Sequence, residues 1–244
     1  MKKFLGYILS PFATIAFLLV LCIFHPLQWI CYNWFGYAAH KKCVDILNFW
    51  LISTYYIVGN SVKFTNNQNL PVGRPMIFIA NHQSTFDIPP MIYFLRKYHA
   101  KFVSKMELTK GIPSISYNLK KGGGANIDRN DPRQSMKALF DLGDRMKQNN
   151  WSAMIFPEGT RSRDGKLKTF QAAGVGAILR KCPDALLVPV AIKNSWKMIQ
   201  YGLYPLNTFT PMSFEVLEPV EPGTGKIDEV IKIIEDRIKA VVEE

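Results

Sequence analysis

Met76-Ile77-Phe78-Ile79-Ala80-Asn81-His82-Gln83-Ser84-Thr85-Phe86-Asp87 is the stretch on which the reading of this chain turns. Its first five residues carry no charge and follow the turn-forming Val72-Gly73-Arg74-Pro75, the pattern of a buried strand. The residues after it set a histidine and a carboxylate five positions apart, where that strand gives way to a loop or a helix start. In layered α/β folds, ligands bind outside the carboxyl ends of the strands. One turn between the two residues would fold Asp87 back onto the His82 ring. A carboxylate on one ring nitrogen fixes the tautomer and leaves the other nitrogen free to accept a proton. The same spacing also suits a plain surface or packing pair, so the rest of the chain has to carry weight.

Five further short apolar runs follow, at 101–104, 126–128, 153–156, 186–192 and 213–217. Between them lie segments with helical spacing. The clearest is 132–148, where Met136, Leu139, Phe140, Leu142 and Met146 mark one face and Asp131-Pro132 supplies a start signal. Residues 172–181 predict another helix. Residues 227–242 predict a last one, with Ile227, Val230, Ile231, Ile234, Ile238 and Val241 at three-or-four spacing. Strands alternating with helices predict an α/β domain with a largely parallel sheet flanked by helices.

A second motif, Phe156-Pro157-Glu158-Gly159-Thr160-Arg161-Ser162, also emerges at the carboxyl end of a strand, and its chemistry suits an anion. Arg161 offers a planar fork of donors for a phosphate, Gly159 lets the backbone approach closely, and Thr160 and Ser162 add hydroxyls. Glu158 is a poor phosphate neighbour and is assigned to holding Arg161 or a substrate hydroxyl. Lys105 and Arg129 end two other strands and could face the same rim. Gly122-Gly123-Gly124 is not followed by Gly-Lys-Ser/Thr, so a nucleotide loop is a weak reading.

The net charge is +11, from 30 Lys and Arg against 19 Asp and Glu, which favours a polyanionic partner: nucleic acid, an anionic membrane surface or phosphorylated substrates. Cys22, Cys31, Cys43 and Cys182 show no CxxC pairing, so neither a zinc site nor a disulfide framework is supported. From Phe4 to Phe24 no residue is charged, a run longer than the apolar core of about 7–15 residues in a cleavable leader. Pro11 is expected to kink or offset it. A second apolar stretch, 44–58, is short for a crossing. Between the two stand Trp29, Tyr32, Trp34 and Tyr37, then Lys41-Lys42, which is interface chemistry. Two full crossings would leave Lys41-Lys42 outside, against the positive-inside tendency, so the expectation is a membrane-embedded helical hairpin dipping into one leaflet. The hairpin is placed at 1–65 and the α/β domain at 66–244, with Asn66-Asn67-Gln68-Asn69 as linker.

With these residues in view, the chain resembles the glycerolipid acyltransferase family, and within it the 1-acyl-sn-glycerol-3-phosphate acyltransferases. Four blocks carry the resemblance, in order. They are Asn81-His82 through Asp87; Lys105 through Glu107-Leu108, Pro113 and Ile127-Asp128-Arg129; Phe156 through Ser162; and Leu187-Val188-Pro189-Val190. The resemblance implies that His82 takes the proton from the sn-2 hydroxyl of lysophosphatidic acid, which attacks the thioester of acyl-CoA or acyl-carrier protein. It implies that Asp87 orients the imidazole, and that Glu158, Gly159, Thr160 and Arg161, with Lys105 and Arg129, bind substrate. No covalent acyl-enzyme, cofactor or metal is expected, and no nucleic-acid partner. Ser84 is a poor nucleophile, lacking the Gly-x-Ser-x-Gly elbow. The product would be phosphatidic acid for phospholipid biosynthesis, made by a membrane-associated protein with its active domain on the cytoplasmic face. Where the family often has a lysine before glycine, this chain reads Gln171-Ala172-Ala173-Gly174, which opens the acceptor headgroup to question. The alternatives are an acyltransferase for another lysolipid headgroup, a membrane-bound hydrolase using the same His-Asp pair, and a non-enzymatic basic module binding anionic lipid or nucleic acid.

Overall fold

The computed structural model describes residues 2–223 and 225–243. Seven strands, β1 (Ser61–Asn66), β2 (Met76–Ala80), β3 (Ala100–Lys105), β4 (Ala125–Ile127), β5 (Ser152–Ile155), β6 (Leu186–Lys193) and β7 (Pro211–Val216), form one sheet in the order β1-β7-β6-β2-β5-β3-β4. Every pairing is parallel except β6 with β7. The expected α/β class with a largely parallel sheet is the one found.

Strand β2 lies inside the sheet and is buried on both faces, so its two-residue period splits it between two cores. Met76, Phe78 and Ala80 pack on one side with Tyr55, Met91 and Leu95, while Ile77 and Ile79 pack on the other with Leu142, Val175 and Ile234. The first side is covered by α1 (Lys2–Tyr55) and α2 (Ile88–Phe94). The second is covered by α4 (Pro132–Asn149), α5 (Ala172–Lys181) and α6 (Ile227–Val242), while α3 (Ile115–Lys121) packs beside α1. Where α4 meets α5, a Cβ on Gly143 would stand 2.7 Å from the Ile178 carbonyl oxygen, so only glycine permits that approach. Truncating Phe78, which has no solvent exposure, to alanine would cost about 3–5 kcal/mol.

Two expectations are corrected. The boundary expected at 65/66 cuts through β1, which pairs with β7 from Ser61 to Asn66 and belongs to the sheet. Ser61-Val62-Lys63-Phe64-Thr65-Asn66 is a half-exposed edge strand, so it lacks the uncharged run that marks a buried one. The break in the N-terminal helix falls not at Pro11 but at Gly36, whose φ of 80° reverses the chain; Pro11 and Pro26 are accommodated within the helix.

The hairpin itself is present. Its arms, 2–35 and 37–55, meet through Leu21 with Leu47 and Leu51, and through Gln28 Oε1 with His40 Nε2 at 3.2 Å. The first arm is tied to the domain along its length. Thr208 Oγ1 donates to the Lys2 carbonyl (3.0 Å), Leu206 N–H to Ser10 Oγ (2.8 Å), Ser114 Oγ to the Leu21 carbonyl (2.6 Å), and Asn33 Nδ2 to Tyr117 Oη (3.2 Å). From Lys2 to Asn33 that is roughly 45 Å of helix at 1.5 Å per residue. A helix fastened to a domain over such a length lies along it and presents its other face outward. That face is apolar, with Phe4, Phe12, Ile15, Leu19, Trp34 and Phe35 exposed. α1 is the one helix among the described residues long and apolar enough to cross a membrane, and this packing suits an in-plane contact with one leaflet.

Candidate active site

The site grows from the carboxyl end of β2. Asn81 extends the strand with its side chain: Nδ2 donates to the Ile192 carbonyl (2.9 Å) and Oδ1 accepts from the Ile192 N–H (2.8 Å). The next residue, His82, is thereby held against β6. A short 3-10 turn at Thr85–Asp87 follows, capped by Ser84, whose Oγ accepts from the Phe86 N–H at 3.1 Å. This turn brings Asp87 back, as the spacing predicted, and His82 Nδ1 lies 2.8 Å from Asp87 Oδ2.

Asp87 is fully buried and saturated with donors. Oδ2 also accepts from the N–H groups of Gln83 (2.8 Å) and Ser84 (2.9 Å), and Oδ1 accepts from the hydroxyl of Ser195. With Nδ1 donating to the carboxylate, Nε2 is the nitrogen left to accept a proton. The ring stacks on Phe156, with centroids 4.2 Å apart and planes at 19°, which fixes the direction of Nε2. Ser84 has no solvent exposure and its hydroxyl is committed to the cap, in keeping with its rejection as nucleophile.

The Phe156–Ser162 loop leaves β5 beside β2 and is clamped to the His82 backbone in both directions. The Ser162 N–H donates to the His82 carbonyl (2.8 Å), and the His82 N–H donates to Glu158 Oε1 (2.8 Å). Glu158 Oε2 also accepts from the Lys168 N–H at 3.3 Å. The expected role of Glu158 is therefore corrected: its oxygens hold backbone rather than Arg161 or a substrate hydroxyl. The cause is local. Gly159, at a φ of 68°, turns the chain so that Glu158 points inward and Arg161 outward. Burial pushes the Glu158 carboxyl up to about 7, against the pull of its two backbone donors.

Arg161, Gly159, Thr160, Lys105 and Arg129 all line one cavity with His82, of about 1060 Å³. His82 and Arg161, far apart in sequence, thus line the same cavity. The Lys105 ammonium is shared with Glu107 at 2.9 Å. Deeper in, Phe17, Val44, Leu47, Leu51 and Phe102 make the walls apolar. Lys101, four residues before Lys105 on β3, lines the same cavity. The Lys101 ammonium donates to the Tyr37 hydroxyl beside the stacked rings of Tyr37 and Trp151, and burial pushes it down to about 7.

Sequence reasoning missed three participants. Ser195 stands just past β6, with its hydroxyl on Asp87 and its N–H on Gln83 Oε1 (3.1 Å). Lys168 ties down the arginine loop, its Nζ donating to Thr160 Oγ1 (2.9 Å) and the Arg161 carbonyl (3.0 Å). Arg163 adds a further cation to the cavity wall. Lys168 and Arg163 had a signal, as cations within the same loop as the motif, while Ser195 had none.

A family model described as Acyltransferase matches residues 61–193, from the start of β1 to the end of β6, more than half of the chain. The chain belongs to the acyltransferase family. Among curated members, the chloroplastic 1-acyl-sn-glycerol-3-phosphate acyltransferase LPAT1 of Arabidopsis thaliana is 32% identical over 55% of this chain and 36% of its own length. The human 1-acyl-sn-glycerol-3-phosphate acyltransferase beta is 28% identical over 75% of this chain and 63% of its own. These matches thus cover less than two thirds of either relative. The crystal structure of the 1-acyl-sn-glycerophosphate (LPA) acyltransferase PlsC from Thermotoga maritima superposes with a TM-score of 0.75 at 24% identity, covering 99% of this chain and 95% of that one, a likeness of fold. Within this acyltransferase the matched residues contain His82, Asp87 and the arginine loop, while Ser195 lies just beyond them.

Proposed function

We propose that this acyltransferase moves a fatty acyl group from a thioester donor, acyl-CoA or acyl-carrier protein, to the sn-2 hydroxyl of lysophosphatidic acid, giving phosphatidic acid. The observation that carries the reading is the shared cavity: a His-Asp pair with a free Nε2, a rim of arginines and lysine, and apolar walls behind them. The names of the relatives supply the acceptor.

His82 Nε2 removes the proton from the acceptor hydroxyl as its oxygen attacks the thioester carbonyl, and Asp87 stabilises the imidazolium that forms. The tetrahedral intermediate collapses by breaking the carbon–sulfur bond. The proton held on Nε2 is then available to the departing thiolate, so base and acid roles balance on one ring. Arg161 binds the acceptor phosphate through its fork of donors, with Arg129, Arg163 and Lys105 adding positive potential. Acyl chains occupy the apolar part of the cavity. The hairpin lays the domain against a leaflet, on the cytoplasmic face, where thioester donors reside.

The test is purified protein with lysophosphatidic acid in vesicles and thioesters on each carrier, the lipid product being followed by mass spectrometry. Phosphatidic acid is expected, with a loss of about a hundredfold or more in His82→Ala, as for removal of a general base. Unchanged turnover in that variant, or free fatty acid formed without acceptor, would overturn the assignment.

A further inference from the structure

The loop from Tyr201 to Phe209 is unused by the chemistry, yet it is among the most apolar exposed pieces of the α/β domain. Leu203 is 73% exposed, and Tyr201, Tyr204 and Phe209 are exposed beside it. The loop is fastened to the start of the hairpin. Tyr204 Oη donates to the Tyr7 carbonyl (3.2 Å) and its ring meets the Tyr7 ring edge-on, Lys3 sits over the Tyr201 ring, and Thr208 holds the Lys2 carbonyl. Its apolar side chains therefore continue the outward face of α1. Tyrosines with lysine beside them are the chemistry of the headgroup level.

The same loop reaches the reaction cavity. Leu203 and Leu206 line it, and so do Thr14, Phe17 and Leu18 of α1. Leu203 and Leu18 both contribute to the cavity wall while being more than half exposed, so the cavity reaches the surface at these residues. That opening lies in the apolar face. The cationic rim of Arg161, Arg163 and Arg129 is a different part of the wall, on loops at the carboxyl ends of β4 and β5.

We infer that the 201–209 loop is a second membrane-inserting element and forms, with Thr14 and Leu18 of α1, a lateral portal through which the acceptor's acyl chain passes from the leaflet to His82. The inference rests on the acyltransferase reading for its cargo, while the membrane contact stands on the loop alone.

Two measurements test this separately. In the first, Leu203→Cys in a Cys22→Ser, Cys31→Ser background is labelled with an environment-sensitive fluorophore and mixed with vesicles of zwitterionic and anionic phospholipid. A blue shift that lipid-borne quenchers abolish is expected, and an unshifted spectrum with the protein bound to vesicles overturns the insertion. In the second, the rate on long-chain lysophosphatidic acid in those vesicles is divided by the rate on a short-chain, water-soluble analogue. Leu203→Glu should lower that ratio by about tenfold or more, as expected when a leucine's apolar contact is lost, and Leu203→Phe should preserve it. A ratio unchanged in Leu203→Glu overturns the portal. Absence of transfer to either acceptor in the wild-type protein would count against the acyltransferase reading and leave the fluorescence result to decide the loop.

Discussion

Ser195→Ala removes one hydroxyl that touches neither substrate nor imidazole, and its effect can be worked from the Asp87 environment. Asp87 Oδ2 is shared by His82 and the amides of Gln83 and Ser84, at 2.8 to 2.9 Å. Oδ1 depends on Ser195, because its other neighbour, Ser84 Oγ, is 3.4 Å away. Deleting the serine hydroxyl takes a hydrogen bond from a fully buried carboxylate, worth about 1.5–3 kcal/mol. For a chain of this size that is a fall in melting temperature of roughly 3–10 °C. With the ring less firmly aimed, kcat should drop about tenfold. The assay is steady-state kinetics on vesicle-borne acceptor beside a thermal melt. Destabilisation with kcat unmoved would refute the argument, since it would make Ser195 a packing residue that does not act through Asp87.

Arg161→Ala should raise the acceptor KM by about tenfold or more with a smaller change in kcat, as for loss of a charge-assisted phosphate contact; steady-state kinetics with an unaltered KM would remove the phosphate role. Glu158→Gln should flatten the pH dependence of stability. The folded Glu158 carboxyl sits at about 7 against a usual 4.5, so its native form gains stability as pH falls from 7 to 4.5, and the wild-type melting temperature should rise relative to the variant across that window. Lys101→Met should act in the opposite sense. The buried ammonium is pushed down to about 7 from 10.5, so its cost is full below 7 and is relieved as pH climbs toward 10.5; the variant should be more stable by about 1–3 kcal/mol at pH 7, with the gap closing in melts at pH 10.

What the sequence made legible was what lies close along the chain. The His82–Asp87 pair could be read because an uncharged strand and a five-residue return are both local, and α4 and α6 could be read because their apolar residues keep helical period. Ser195 could not. It reaches Asp87 only because β6 lies beside β2 in the sheet, and no spacing across the 108 positions that separate the two residues encodes that neighbour. The direction of Glu158 was hidden for another reason: it depends on the φ of Gly159, and a Pro-Glu-Gly turn fits either outcome. Gly36 was passed over because Pro11 carries the stronger breaking signal, while the geometry that counts is a positive-φ residue between Phe35 and Tyr37. β1 was lost to its exposure, since half-buried edge strands alternate weakly.

The two halves of the site are held with unequal firmness, and the inequality matches their tasks. His82 is fixed by the Asp87 contact, by stacking on Phe156, and by two backbone hydrogen bonds to the neighbouring loop, one of them through Glu158. A general base needs this, because a proton transfer tolerates little misplacement. Among the described residues Arg161 is held through its backbone carbonyl alone, by Lys168, and it stands exposed at the rim. An anion that must enter and leave with every turnover is better met by a fork that can follow it. Gly159, with no side-chain atom within 4 Å of where a Cβ would stand, keeps that side of the mouth open. The rigid half stands behind two loops clamped together, and the adaptable half stands where the phosphate of a lipid lying in the leaflet would arrive, so that rate and acceptor affinity should respond to different residues.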